Sequence, residues 1–140
     1  MAERTFKARS LVKGRAVGQA LVSEAPVCFV GGLDVETGIF TEKGHPLYGQ
    51  CGQGKILVFP TGKGSTGGSY VLFEAHENGV APAAIINREV EQVTVVGCII
   101  SKIPAVDHLE EDPVRVIRTG DMVEVDATNG LVKILNKGEF

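Results

Sequence analysis

The sequence has little of what marks several specialised classes of protein. Its 140 residues include no tryptophan, three cysteines and no uninterrupted apolar run near the roughly 18 residues of a membrane-spanning helix. The 14 basic residues are outnumbered by 17 acidic ones, so the basic surface that nucleic acid binding needs is missing. The first residues also lack the apolar segment of a secretory signal. We therefore expect a cytoplasmic protein that binds neither nucleic acid nor a membrane.

The cysteines are too few and too scattered to define a metal site. Cys28, Cys51 and Cys98 are an odd number and contain no Cys-x-x-Cys pair, so neither a disulfide framework nor a metal motif follows. A four-cysteine zinc or iron-sulfur site cannot be completed from them alone, although the three histidines could add ligands. Packing as small buried hydrophobic side chains is the expected role of the cysteines.

Glycine is the residue that stands out. The chain contains 18 glycines, well above the average usage of about 7 %. They predict many turns, and short strands around glycines are expected over residues 11–22, with another strand over 27–30. The length predicts a single domain over residues 1–140.

Residues 55–87 have the pattern of a strand, a loop, a helix and a second strand. The apolar run 56–59 predicts a strand buried on both faces, and 83–86 predicts the next one. A helix is expected over 69–78, because its apolar residues fall on one stripe. The stripe consists of Val71, Leu72 and Ala75 and extends to Tyr70. A crossover of this kind joins parallel strands.

The remaining segments are less regular. Residues 93–100 fit either two short strands or a strand with a short helix, and Asp107 with His108 is expected in an exposed polar connection. Alternation over 121–135 around an Asn-Gly turn predicts a hairpin. The whole is a β-rich α/β domain with layered sheets and helices against one side.

The glycine loop at 61–68 is the most informative motif. It formally matches the dinucleotide fingerprint Gly-x-Gly-x-x-Gly, but the chain lacks the repeated βαβ units of that fold, and no Gly-Lys-Ser/Thr completes a Walker A loop. A loop that opens a helix can bind a carboxylate or a phosphate through backbone N–H groups. The hydroxyls of Ser65 and Thr66 either take part in such a site or cap the helix, and the residues alone leave both roles open.

Six segments together resemble the small subunit of the aconitase X family over roughly residues 8–135. They are Phe-Val-Gly-Gly-Leu-Asp at 29–34, Gly-His-Pro-Leu-Tyr-Gly-Gln at 44–50, Lys-Ile-Leu-Val-Phe-Pro at 55–60, Gly-Lys-Gly-Ser-Thr at 62–66, Ala-Pro-Ala-Ala-Ile-Ile-Asn at 81–87 and Ile-Ile-Ser-Lys-Ile-Pro at 99–104. The resemblance implies a swivelling β/β/α layered domain, as in the C-terminal domain of aconitase. It also implies a large-subunit partner, in a heterodimer or a larger assembly, that carries a 4Fe-4S cluster on its own cysteines.

The resemblance also implies roles for the glycine loop. Ser65 corresponds to the serine that accepts the proton from carbon in this family, while the cluster iron acts as Lewis acid on the departing hydroxyl. Substrate binding is expected at Lys63, Gly64, Thr66 and Gly67. Aconitases usually follow this serine with Ser-Arg, and this chain does not, so charge stabilisation must come from Lys63, from backbone donors or from the partner.

The sequence of residues 62–70 and the segment Ala-Ile-Ile-Asn at 84–87 are similar to those of the archaeal members of the family. This similarity implies dehydration of a small phosphorylated hydroxy acid, (R)-mevalonate 5-phosphate, to trans-anhydromevalonate 5-phosphate, on a mevalonate route to isoprenoids. One alternative is the small subunit of a dehydratase that acts on cis-3-hydroxy-L-proline. Another is a module that binds a small molecule or a partner without catalysis.

Overall fold

The computed structural model describes residues 3–135, in which short strands alternate with three helices. In chain order the elements are β1 (Arg4–Lys7), β2 (Arg9–Val12), β3 (Arg15–Val22), β4 (Ile56–Phe59), α1 (Gly68–Glu77), β5 (Ala84–Asn87), α2 (Gln92–Ser101), β6 (Ala105–Asp107), α3 (Pro113–Val116), β7 (Met122–Asp126) and β8 (Leu131–Ile134). No helix among these is long and apolar enough to cross a membrane. The single domain predicted over 1–140 includes residues 1–2 and 136–140, which lie outside the described residues, and it stays a prediction.

One strand, β3, connects two sheets. Its first five residues, Arg15 to Gln19, pair with β7 in antiparallel fashion, and its last three, Ala20 to Val22, pair with β4 in parallel fashion. The strand order through both sheets is β1-β8-β7-β3-β4-β5-β6-β2. Strands β4, β5 and β6 run parallel, as the predicted crossover requires, and β7 with β8 forms the predicted hairpin.

Two hydrophobic cores divide the molecule into three layers. Along β4, Ile56 and Val58 contribute to a core shared with the hairpin sheet, whereas Leu57 and Phe59 contribute to a core shared with α1 and α2. All four are fully buried, which explains why this strand is apolar at every position. The order of sheet, sheet and helices confirms the β/β/α layering.

The segment after β5 differs from both predicted alternatives, because it is one ten-residue helix, α2. β-branched residues such as Val93 and Val95 weaken helix propensity, so the local sequence favoured strands here. A local cap and a tertiary contact decide the outcome: the Glu91 side chain accepts the N–H groups of Val93 and Thr94, and Gly97 allows close approach of α1, since a Cβ there would lie 2.8 Å from Leu72.

Two smaller predictions are also wrong. The strand expected over 27–30 is reduced to one bridge between Val27 and Gly62, after which the chain turns. Val27 and Phe29 are nonetheless buried in the core beneath the helices. Tyr70 does not belong to the buried stripe of α1, because 74 % of it is exposed.

Candidate functional site

The glycine loop leaves the sheet at the carboxyl end of β4, the edge at which open α/β sheets commonly bind ligands. Backbone hydrogen bonds attach the loop to the segment before β4. The N–H of Lys63 donates to the carbonyl of Val27 at 2.9 Å, and the N–H of Val27 donates to the carbonyl of Thr61 at 3.2 Å. The loop is therefore an ordered connection with a defined path.

Ser65 is exposed at the tip of this loop, just before α1. Its Oγ accepts the backbone N–H of Gly67 at 3.2 Å, and its carbonyl accepts the N–H of Gly68 at 3.0 Å. Gly67 is the N-cap residue of α1 and no side chain caps the helix there, so Ser65 forms a local turn rather than a cap. An N–H directed at a hydroxyl oxygen stabilises negative charge on that oxygen, which is what a serine acting as a base requires.

Lys63 does not direct its charge at Ser65. Its ammonium group lies 3.4 Å from a carboxylate oxygen of Glu42, and both side chains are partly exposed. The sequence left Lys63, backbone donors and the partner as sources of charge stabilisation for Ser65. Among the described residues, the structure shows a backbone donor, the Gly67 N–H, at the Ser65 oxygen. Glu42 lies in the irregular segment before β4, and no motif in the sequence indicates this pairing.

Two cavities flank the loop. The first, of about 350 Å³, is lined by Cys28, Val30, Gly31, Glu42, Lys63 and Gly64. The second, of about 370 Å³, is lined by Thr66, Ser69, Tyr70, Gln92, Val93, Val96 and Ile100. The predicted binding residues are thus divided, with Lys63 and Gly64 at one cavity and Thr66 at the other, while Ser65 lies between them along the chain.

The glycines of the loop are in close contact with their surroundings. Gly64 has a φ of +98°, and a Cβ at this position would overlap with Sγ of Cys28. A Cβ at Gly62 would overlap with the carboxylate of Glu91 and the hydroxyl of Thr94, at the start of α2. The absence of side chains therefore lets the loop lie against both neighbouring segments.

None of the three histidines assists Ser65 in the structure. His45, one residue of the Gly-His-Pro turn, uses both ring nitrogens: Nδ1 accepts the N–H of Leu47 at 3.1 Å, and Nε2 lies 2.8 Å from the carbonyl of Pro26. His76 is exposed on α1 beside Glu77, and His108 lies 3.9 Å from Glu89. His45 therefore stabilises a turn.

Asp107, at the end of β6, was expected to be exposed and is completely buried. Its carboxylate accepts two hydrogen bonds from Arg9, each of 2.8 Å, and one of 2.9 Å from the N–H of Val90. Burial alone would raise the pKa of Asp107, but these hydrogen bonds and the positive charge of Arg9, with a smaller contribution from His108, outweigh it, so the pKa is lowered. The pair connects edge strand β2 to the turn that precedes α2.

Replacing Asp107 by asparagine should destabilise the fold by about 2 kcal/mol at pH 7, because an amide cannot accept all three bonds of the carboxylate. A lowered pKa means that the ionised form contributes its full stability above the ordinary value of about 4 and loses it as the pH falls through the pKa of the folded state. The deficit measured by urea unfolding should therefore shrink between pH 5 and pH 3. Glu36→Gln, in an exposed loop, is the control, and a deficit independent of pH would contradict the assignment.

The cysteines do not fit a metal cluster. Cys28 donates to the carbonyl of Val30, Cys51 donates to that of Thr37, and burial raises the pKa of Cys98 to about 12, which keeps its thiol protonated. Within residues 3–135, no three side chains of His, Cys, Asp or Glu lie together as metal ligands would.

The three-layer arrangement and the glycine loop at the carboxyl end of β4 define a swivel domain of the aconitase type. Residues 5–134 match the family model described as the aconitase X swivel domain. The chain therefore belongs to the aconitase X swivel domain family.

Relatives with names and structures support this membership. The chain is 52 % identical over 129 residues to the phosphomevalonate dehydratase small subunit of Methanocella arvoryzae, covering 92 % of this chain and 98 % of that one. It is 49 % identical to the protein of the same name from Thermococcus kodakarensis, covering 96 % and 98 %. The crystal structure of Thermococcus kodakaraensis aconitase X in its holo form superposes with a TM-score of 0.90 at 48 % identity, covering 94 % of this chain and 98 % of that one.

Proposed function

We propose that this chain is the small subunit of a hydro-lyase that dehydrates (R)-mevalonate 5-phosphate to trans-anhydromevalonate 5-phosphate in the cytoplasm. The observation that carries the proposal is the exposed Ser65, with a backbone N–H at its Oγ, in a chain about half identical along most of its length to proteins named phosphomevalonate dehydratase small subunit. The partner is a large subunit, and we assign the 4Fe-4S cluster to it, because the described cysteines of this chain do not fit one.

Ser65 is the proton acceptor in this proposal. As an alkoxide it takes a proton from the substrate carbon, the C–H electron pair becomes the new C=C bond, and hydroxide leaves from the neighbouring carbon. The N–H of Gly67 stabilises the alkoxide before transfer, since it already lies at Oγ. The protonated serine releases its proton before the next turnover.

Lys63, Gly64, Thr66 and Gly67 bind the substrate in the same proposal. Lys63 and Gly64 line one cavity, and Thr66 lines the other. A substrate bound in either cavity therefore contacts a residue adjacent to Ser65 in the loop. Lys63 can exchange its partly exposed Glu42 partner for an anionic group of the substrate at small cost, because exposed ion pairs contribute little.

The test uses both chains. We expect the purified chain, mixed anaerobically with the cluster-loaded large subunit from the same organism, to dehydrate (R)-mevalonate 5-phosphate, and each chain alone to be inactive. Product formation is followed by mass spectrometry, beside a parallel assay with cis-3-hydroxy-L-proline.

The two substrates separate the alternatives. Turnover of the phosphate ester alone supports the proposal. Turnover of the imino acid alone would retain the enzyme class and replace the substrate. Absence of both association and turnover would favour a binding module without catalysis.

A further inference from the structure

The outer surface of α1 and α2 carries most of the large hydrophobic side chains that the described residues expose. Five of nine such side chains lie there: Tyr70, Phe73, Val96, Ile99 and Ile100, here called the two-helix face. The other four, Val17, Val30, Ile39 and Tyr48, lie on other elements. Single exposed hydrophobic residues are ordinary, but a contiguous group on one surface marks an interaction site.

Helix α2 is unusual in having no charged residue between Gln92 and Ser101. A helix that packs one side on a core normally presents charged side chains to water on the other. Here the exposed side consists of Gln92 with Val96, Ile99 and Ile100, and 55 % of Ile99 is accessible. This composition matches the centre of a protein interface, from which charged residues are depleted.

The two-helix face continues into the candidate active site. Tyr70, Val96 and Ile100 belong to this face and also line the cavity that Thr66 lines, and Thr66 is the residue after Ser65. A partner that covers the face therefore also lies beside Thr66, the residue next to Ser65 in the chain.

We propose that the two-helix face is the surface on which the large subunit docks, through an uncharged apolar surface of its own. The inference rests on the proposed function, in which Ser65 must meet groups that the partner supplies. A second copy of this chain is the less suitable occupant, because it would bring a second glycine loop to Ser65 and no group that the first copy lacks.

Ile99→Lys tests the inference with little risk to folding. Ile99 is more than half exposed, lysine is a good helix former, and a cation near the carboxyl end of α2 is favourable. The matched control is Val17→Lys, because Val17 is 46 % exposed and lies on β3 opposite Glu124. Tyr70→Ala is the second variant, which removes apolar surface without adding charge.

The dissociation constant of the two-chain complex is measured by calorimetry, with circular dichroism and thermal unfolding of each variant as folding checks. Ile99→Lys should raise Kd by at least 100-fold and Tyr70→Ala by at least 10-fold, whereas Val17→Lys should stay within threefold of the unchanged chain. When the small subunit is in saturating excess, Ile99→Lys should recover the full kcat, because the substitution affects docking and leaves Ser65 in place.

Three outcomes overturn the inference. They are an unchanged Kd for both face variants, no association of the unchanged chain with the large subunit, and a self-associated chain that Ile99→Lys disperses. Absence of association would overturn the proposed function as well, whereas association of the unchanged chains without turnover counts against the proposed function alone. The Kd comparison then still tests the docking surface.

Discussion

Ser65→Ala should lower kcat of the two-chain enzyme by roughly 10² to 10⁴-fold, the contribution typical of a positioned base. Alanine cannot accept a proton, and neither His45 nor Lys63 is placed to replace the serine. His45 uses both ring nitrogens in a turn, and the Lys63 ammonium is directed at Glu42. Steady-state turnover of mevalonate 5-phosphate at a saturating concentration of both substrate and partner measures the loss.

The fold and the complex should both survive this substitution. Ser65 is exposed, and its side chain makes one hydrogen bond, of 3.2 Å with the Gly67 N–H, so the loss of stability should be about 1 kcal/mol or less. Thr128→Ala is the matched control, since its exposed hydroxyl also accepts one backbone N–H, that of Gly14 at 3.0 Å, in the turn between β7 and β8, and its loss should leave kcat unchanged. If Ser65 only orders the turn, kcat will be retained and the melting temperature alone will fall.

The layers of the fold were predictable because their signals are local. The apolar run Ile56–Phe59, the helix that follows the glycine loop and the hairpin of β7 with β8 each follow from periodicity and turn residues. Helix α2 was not predictable in this way. Its β-branched residues favour a strand, and its N-cap, Glu91, is not among the residues that usually mark a helix start. The close approach of α1 at Gly97 is a contact between separate elements, which the periodicity of α2 does not show.

The same distinction applies to the candidate site. The glycine loop and its serine were found from sequence because they are contiguous. Three other residues of the first cavity were not found from sequence: Cys28, Val30 and Glu42. They lie far from the loop in sequence and are brought beside it by the bridge between Val27 and Gly62 and by the turns before β4. Asp107 was misplaced for a related reason, since its ion pair with Arg9 joins residues 98 positions apart.

Gly64→Ala should lower kcat by about 10 to 100-fold, because it displaces the residue next to Ser65. Two effects act at this position. The φ of +98° is unfavourable for any residue with a Cβ, and that Cβ would overlap with Sγ of Cys28. The loop must move away from the segment before β4, and Ser65 moves with it. The kcat of the assembled enzyme measures the effect.

Two further variants separate backbone strain from overlap. Gly79→Ala imposes a Cβ at a φ of +75°, where nothing lies within 4 Å, so it should lower stability by about 1 to 2 kcal/mol and leave kcat unchanged. Gly64→Ala combined with Cys28→Ala removes the overlapping sulfur and retains the strained φ. Substantial recovery of kcat without recovery of stability would show that contact with Cys28 fixes the position of Ser65. Equal loss of kcat in the single and double variants would show that the backbone conformation at Gly64 fixes the position of Ser65. A normal kcat in Gly64→Ala would show that catalysis does not depend on the geometry of the loop.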